Sequence, residues 1–100
     1  MILSELIKHE ESLMRFETSS KFSMDFNDYI KLLKVLKEIG EITTNYFNLI
    51  KEYDVKLKNE NFSKENRKEK LIDFNDKLLN SFIEFNEKNI IFFIDKYNIL

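Results

Sequence analysis

Apolar residues recur at spacings of three and four positions along almost the whole chain, which is the periodicity of amphipathic α-helices. The pattern is most regular between Met24 and Lys58, and we predict one long helix there. The residues of its packed face, which we call the seam, are spaced alternately three and four positions apart over the whole helix, an order typical of coiled coils. The seam consists of Tyr29, Leu32, Leu36, Ile39, Thr43, Tyr46, Ile50, Tyr53 and Leu57.

A shorter helix is predicted before this one, from Leu3 to Glu17, with an apolar stripe that a single glutamate interrupts. The polar segment 18–23 follows, and its serines and threonine favour caps and turns over helix interiors. Ser23 is the expected N-cap of the second helix, with Asp25 near the positive end of the helix dipole.

A third helix is predicted from Lys64 to Asn98, after a turn at 58–63 that is rich in asparagine. Ser63 is the expected N-cap of this helix. Two apolar stripes run along it, the second of which ends at Leu100, so the helix needs cover from two sides. The first stripe is Leu71, Phe74, Leu78, Phe85, Phe92 and Ile99, and the second is Ile72, Leu79, Ile83, Ile90, Phe93, Tyr97 and Leu100.

Two positions could interrupt the long helices. Gly40 is the only glycine of the chain, and it could act as a C-cap that splits the second helix in two. The polar segment 86–89 is the weak point of the third helix, where the helix could kink or stop.

These elements predict an all-α fold in a single domain of residues 1–100. The expected architecture is an antiparallel helical hairpin of two long helices with a short N-terminal helix packed on it. This is a three-helix bundle, or a four-helix one if the chain splits at Gly40. The absence of proline and of interior glycine elsewhere supports long helices.

The short first helix reaches along only half of the hairpin, so the other half is expected to leave an apolar strip open. Soluble monomers rarely expose such a strip, and we predict that a partner covers it. A second copy, forming a homodimer, or another protein would serve, whereas closure of the tip by its own aromatic side chains is the alternative. The expected partner-binding residues are Tyr46, Phe47, Ile50, Tyr53, Leu57, Phe74 and Leu78.

The net charge and the composition limit the classes of partner that the protein is expected to bind. The net charge is −2 and the isoelectric point is near 5.5, so no overall positive field favours a phosphate backbone. The longest apolar run is far shorter than the roughly 20 residues that span a bilayer. The first residues lack the basic region and cleavage site of a signal peptide, so a cytoplasmic location away from membranes is expected.

The sequence contains few residues in arrangements that could bind a metal or take part in catalysis. His9, the only histidine, lies four residues after Glu5 on one helical face, but two ligands are too few for a structural metal site. With no cysteine, thiolate sites are excluded as well. We therefore expect no enzyme activity, no catalytic residue, no metal site and no cofactor.

A basic cluster near the predicted turn gives the alternative prediction of a nucleic-acid-associated helical protein. Glutamates are interleaved with these basic residues, which favours a solvated helix end over a phosphate contact. If the cluster binds nucleic acid, binding should weaken steeply with salt. The candidate residues are Lys64, Arg67, Lys68 and Lys70.

Two family resemblances can be weighed on short motifs. The predicted hairpin resembles the small helical proteins exported by type VII secretion, but the turn reads Asn59-Glu60-Asn61-Phe62 and lacks their Trp-x-Gly motif. The pattern Leu6-Ile7-x-x-Glu10-x-x-Leu13-Met14 loosely resembles the opening helix of flagellar-type export chaperones over nine residues, a spacing that many amphipathic helices share. The sequence thus predicts a non-enzymatic protein-interaction module, such as a small subunit, adaptor, chaperone or inhibitor.

Overall fold

The computed structural model describes residues 1–99, and their regular structure is helical. The helices are α1 (Leu3–Ser20), α2 (Phe26–Asn59), α3 (Lys64–Leu79) and α4 (Lys88–Tyr97). The all-α prediction is confirmed. The predicted count of three helices is wrong because the third helix is interrupted at 80–87. Leu100, the expected end of an apolar stripe, lies outside the described residues.

Helix α2 is continuous through Gly40, so the alternative of a split at this residue is wrong. Gly40 has no positive φ, and it lies in the segment of α2 that packs against α1. An interior glycine costs about 1 kcal/mol relative to alanine. Packing on both sides of this position outweighs that cost, since the buried side chains of Ile39 and Thr43 flank the glycine.

The break between α3 and α4 begins where polar side chains compete for the helix backbone. Asn80 Nδ2 donates to Asp76 O at 2.9 Å, and Ser81 Oγ donates to Leu78 O at 2.6 Å. The chain then turns toward the start of α1, whose Leu3 N donates to Ser81 O at 3.0 Å. The predicted weak point at 86–89 therefore spans the end of a longer interruption at 80–87 and the first residues of α4, which begins at Lys88.

The other helix ends follow the predictions in part. Helix α1 extends to Ser20 rather than Glu17, and α2 begins after Asp25 rather than at a Ser23 cap. Ser23 Oγ instead donates to Ser20 O at 3.1 Å and closes the preceding turn. The cap of α3 is confirmed, because Ser63 Oγ accepts from Asn66 N at 3.2 Å.

Helix α2 is the spine on which the other helices pack, and α1 and α4 lie antiparallel along its first half. Tyr29 OH of α2 donates to Glu17 Oε1 of α1 at 3.1 Å, and Lys31 Nζ lies 3.9 Å from the centre of the Phe92 ring of α4. The core of the molecule is at this end. Its most buried members are Leu3, Leu6, Leu13, Leu32, Val35, Ile39, Ile90 and Phe93.

Helix α3 lies antiparallel along the second half of α2, as the contact of Asp54 with Arg67 shows. No residue of α3, all of which the structure describes, is buried. The molecule measures 54 × 22 × 19 Å, so it is a rod with its core concentrated toward one end. Within residues 1–99, no helix combines the length and the apolar character needed to cross a membrane.

Candidate functional site

The candidate site is a shallow groove between α2 and α3, beyond the point where α1 covers α2. Tyr29, Leu36, Thr43 and Ile50 recur every seventh position and therefore lie along one line on α2. Helix α1 contacts this line through two hydrogen bonds: Glu17 accepts one from the hydroxyl of Tyr29, and Glu10 accepts one from the hydroxyl of Thr43. Ile50 lies one repeat further on and lines the groove instead.

The groove has a volume of about 460 Å³ and combines an apolar floor with charged sides. We call it the α2–α3 groove and define it by Ile50, Asp54, Lys64, Arg67, Lys68, Leu71, Ile72 and Asn75. Its apolar members are Ile50, Leu71 and Ile72, and the last of these is 53% exposed. Exposure of a large aliphatic side chain at this level leaves apolar area available to a partner.

The charged sides of the groove carry more positive than negative groups. Asp54 is the one carboxylate among its lining residues, and it forms ion pairs with Arg67, at 3.5 Å from Nε, and with Lys58, at 3.2 Å from Nζ. Lys64 and Lys68 form no ion pair with any residue of the described segment 1–99. Two lysine ammonium groups at the groove are thus free to meet an acidic ligand.

The structure places only some of the expected partner-binding residues at this surface. Ile50 lines the groove, and Phe47, one helical turn before it, is 57% exposed. Tyr53 stacks on Phe74 with ring centres 4.3 Å apart, so these two residues join α2 to α3. Leu57 is buried near the turn.

Tyr46, another expected partner-binding residue, is buried rather than open, with 7% of its surface exposed. Its hydroxyl donates to Asn75 Oδ1 across the α2–α3 contact. Burial raises the pKa of the Tyr46 hydroxyl, and the carboxylate of Asp76 acts in the same direction. The polar partner that a buried tyrosine needs comes from the chain itself.

Leu78, the remaining expected partner-binding residue, lines a separate apolar pocket of about 290 Å³. This pocket lies where the first turn of α1 meets the middle of α2 and the start of the break after α3. Its lining consists of Leu3, Ile42, Asn45, Tyr46, Leu49, Leu78, Ser81, Ile83 and Glu84. The predicted apolar strip is therefore divided between two concave surfaces.

The basic residues that could bind nucleic acid also lie in two different places. Lys64, Arg67 and Lys68 line the α2–α3 groove, whereas Lys70 points elsewhere, with Nζ 4.9 Å from the centre of the Phe62 ring. The three groove residues surround an apolar floor and no aromatic platform on which a base could stack.

Sequence reasoning missed one exposed surface, on the outer side of α2 near its start. Phe22 is 94% exposed and Phe26 is 71% exposed, and Ile30 and Leu33 continue the strip along α2. At 100° per residue, Phe26, Ile30 and Leu33 lie about 40° to 100° from Tyr29, to one side of the seam, so the periodicity gives no sharp signal that separates this strip from the packed stripe.

The described residues offer little chemistry beyond these surfaces. His9 lines a small pocket between α1 and α4 with Ser12, Leu13 and Ile90, and it is partly exposed. Among residues 1–99, no three histidine, aspartate or glutamate side chains lie together in a way that could hold a metal ion. Comparison with known proteins gave no match to this chain among family models, curated proteins or solved structures.

Proposed function

We propose that this chain is a non-enzymatic protein-interaction module that binds another polypeptide in the α2–α3 groove. The observation that carries the proposal is the open apolar floor of the groove, in which Ile50 and Leu71 are half-buried and Ile72 is 53% exposed. It continues the line on α2 that α1 occupies in the first half of the molecule. The partner is a second copy of the chain or a different protein, and the module acts as a subunit, adaptor, chaperone or inhibitor.

The packing of α3 supports this function. Helix α3 is held to α2 on one side by the stacked rings of Tyr53 and Phe74 and by the bond from Tyr46 to Asn75. It has no buried residue of its own, and the side of α3 that carries Leu71 and Ile72 faces the groove. A partner seated there would bury these side chains and give α3 a second packing surface.

The rival function, binding of nucleic acid, draws on Lys64, Arg67 and Lys68 at the same groove. Arg67 is already paired with Asp54, and the floor between the basic groups is apolar. A phosphate backbone gains nothing from an apolar floor, whereas an amphipathic polypeptide does. Filter binding of single- and double-stranded DNA and RNA at low and high salt tests the rival, which predicts binding that falls steeply with salt.

The decisive test of the proposed function places a charge on the groove floor. Ile72→Glu adds a buried charge to any interface formed there, while Val55→Glu adds the same charge to an equally exposed residue outside the groove. The mass of each protein is measured by light scattering after size-exclusion chromatography over a hundredfold range of concentration. In parallel, the wild type and each variant are immobilised, and the proteins that they capture from a lysate of the source cells are compared. Circular dichroism confirms that both variants fold.

If the partner is a second copy, the wild type has twice the 12.2 kDa mass of one chain, and Ile72→Glu reduces this to one chain. If the partner is a different protein, the wild type is a monomer and Ile72→Glu loses the captured protein. Val55→Glu behaves as the wild type in both cases. Unchanged mass and unchanged capture for Ile72→Glu would contradict the proposed function.

A further inference from the structure

We propose that the occupant of the α2–α3 groove is an amphipathic helix of another protein, with apolar residues on its inner face and glutamate or aspartate on its flanks. This inference rests on the proposed function and adds the form and charge of the partner. Three features of the structure support it: the path of α1, the charge of the groove and the symmetry that self-association would require.

The path of α1 indicates that the occupant is a helix. Helix α1 already packs on the line formed by Tyr29, Leu36 and Thr43, and the groove is the continuation of the same packing surface on α2. The uncovered part runs from about Phe47 to the buried Leu57, which is about 15 Å at 1.5 Å per residue. Roughly three turns of helix fit this length, and a helix seated in an apolar groove is a common mode of recognition.

The charges at the groove indicate that the occupant is acidic. Lys64 and Lys68 lie one turn apart on α3 and have no ion-pair partner within residues 1–99. Helix α1 gives a precedent within the chain, because Glu10 and Glu17 make its two side-chain hydrogen bonds to α2. An acidic flank would meet the two lysines as those glutamates meet Thr43 and Tyr29.

Charge also argues against a second copy as the occupant. In a two-fold symmetric dimer the same patch faces itself, so two grooves that each carry Lys64, Arg67 and Lys68 against the single carboxylate of Asp54 would meet with like net charge. Glu65 and Glu69 each follow one of these lysines by one position, which turns them about 100° around α3. Neither glutamate lines the groove, so neither relieves that repulsion.

The test selects helices from a displayed library and reads the charge of their flanks. Library members are helical segments of about 15 residues, with apolar residues fixed at spacings of three and four and flanking positions that encode glutamate or lysine. Binding is selected on the complete 100-residue protein. The same selection is run on Lys64→Glu/Lys68→Glu and on the control Lys34→Glu/Lys37→Glu, which reverses two exposed lysines outside the groove.

The wild type and the control should both enrich glutamate at the flanks, whereas Lys64→Glu/Lys68→Glu should enrich lysine. A selected acidic helix should bind this groove variant on the order of tenfold more weakly than the wild type. Circular dichroism verifies folding, which is expected because glutamate at position 64 lies in the first turn of α3, where it suits the helix dipole, and position 68 is exposed. Ile72→Glu should abolish binding of helices of either charge.

Several outcomes would overturn the inference. Equal enrichment of glutamate and lysine, with loss of binding in Ile72→Glu, would leave the proposed function in place and reject the acidic partner. Self-association that Ile72→Glu disrupts would assign the groove to a second copy. Competition of a selected helix by DNA or RNA would assign the basic side to phosphate. No enrichment at all, together with an unchanged mass and capture for Ile72→Glu, would reject the proposed function as well.

Discussion

Asp28 shows how a single buried carboxylate is held in this fold. It lies in the first turn of α2, is nearly buried, and accepts Lys96 Nζ at 2.7 Å and the hydroxyl of Tyr97. The hydrogen bond from Lys96, followed by that from Tyr97, keeps the pKa of Asp28 below its ordinary value, although burial acts in the opposite direction. The bond to Asp28 raises the pKa of Lys96 and of Tyr97. These bonds fix the end of α4 on the start of α2.

The Asp28 contacts predict a pH dependence of stability. Because the pKa of Asp28 is lower in the folded state than its unfolded value of about 3.9, its contribution is present above that value and is lost as the pH falls through the folded pKa. The raised pKa of Lys96 means that the contribution is also lost as the pH rises through it, above about 10.4. Asp28→Asn should therefore destabilise the protein at neutral pH and approach the wild type at both extremes.

Urea denaturation of the wild type and of Asp28→Asn across this pH range checks the prediction. Asp73→Asn is the matched control, because Asp73 forms a solvent-exposed pair with Lys77 on α3. Exposed pairs contribute little, so this variant should follow the wild type closely. A constant difference between Asp28→Asn and the wild type at every pH would show that the carboxylate charge is not what stabilises the contact.

Gly40 is a residue at which the chain is less stable than it could be. A Cβ built at this position lies 4.0 Å from Glu10 Oε2, which is ordinary van der Waals contact, and the backbone is helical. Gly40→Ala should therefore raise the free energy of unfolding by about 0.5–1 kcal/mol, since alanine loses less conformational entropy on folding. Thermal and urea denaturation measure the change. A loss of stability would mean that the contact of Glu10 with Thr43 tolerates no methyl group beside it.

At the scale of the elements, α4 depends on its packing rather than on its own helical preference. It has ten residues, fewer than an isolated helix needs to persist in water. Phe93 is fully buried between the helices, and its ring contacts those of Phe92 and Tyr97. The break at 80–87 makes this packing possible, because α4 can turn its apolar side toward α1 and α2 independently of the orientation of α3.

Truncation of Phe93 tests the attachment of α4. Phe93→Ala should lower the free energy of unfolding by about 3–5 kcal/mol, because it removes a fully buried ring and leaves a cavity. Phe82→Ala is the matched control, since this ring is 77% exposed in the break before α4 and its loss should change stability by about 0.5 kcal/mol or less. Urea denaturation followed by circular dichroism gives both values. Equal effects of the two substitutions would contradict the described position of α4.

At the scale of the whole molecule, the two ends of the rod differ in how they are stabilised. One end has α1, α2 and α4 around a shared core, while the other has only α2 and α3 in contact. The elongated shape follows from α2, whose 34 residues span about 51 Å at 1.5 Å per residue, and from its second half being packed by α3 alone among the described helices. The radius of gyration over Cα atoms is 17.0 Å, compared with about 13 Å for a compact domain of 100 residues.

Small-angle X-ray scattering of the monomeric fraction tests this shape. The measured radius of gyration should lie close to 17.0 Å and well above the compact value. The Ile72→Glu variant provides a monomer if the wild type self-associates. A value near the compact one would mean that α3 folds back over the core end and that the α2–α3 groove does not exist in solution.

The candidate site could be predicted from the sequence only in outline. The seam, with its alternating spacings of three and four, and the shortness of α1 together predicted an open face on the second half of α2. The same pattern could not separate Ile50, which lines the groove, from Tyr46, which is buried. Both residues lie on the apolar seam, and only the angle at which α3 crosses α2 decides which of them is covered.

Local periodicity and side chains close in the chain are enough to specify the helical class, the long α2, the turn around Asn61 and the cap at Ser63. Contacts between distant parts of the chain set its path through the break at 80–87 and bring Lys64 and Lys68 to the sides of an apolar floor. Local bonds of Asn80 and Ser81 end α3, but the path of the chain after them is held by backbone bonds from Leu3 N to Ser81 O and from Ile83 N to Met1 O, between residues far apart in the chain. Local periodicity contains no information about such contacts, since any phase of α3 and α4 would satisfy the same stripes.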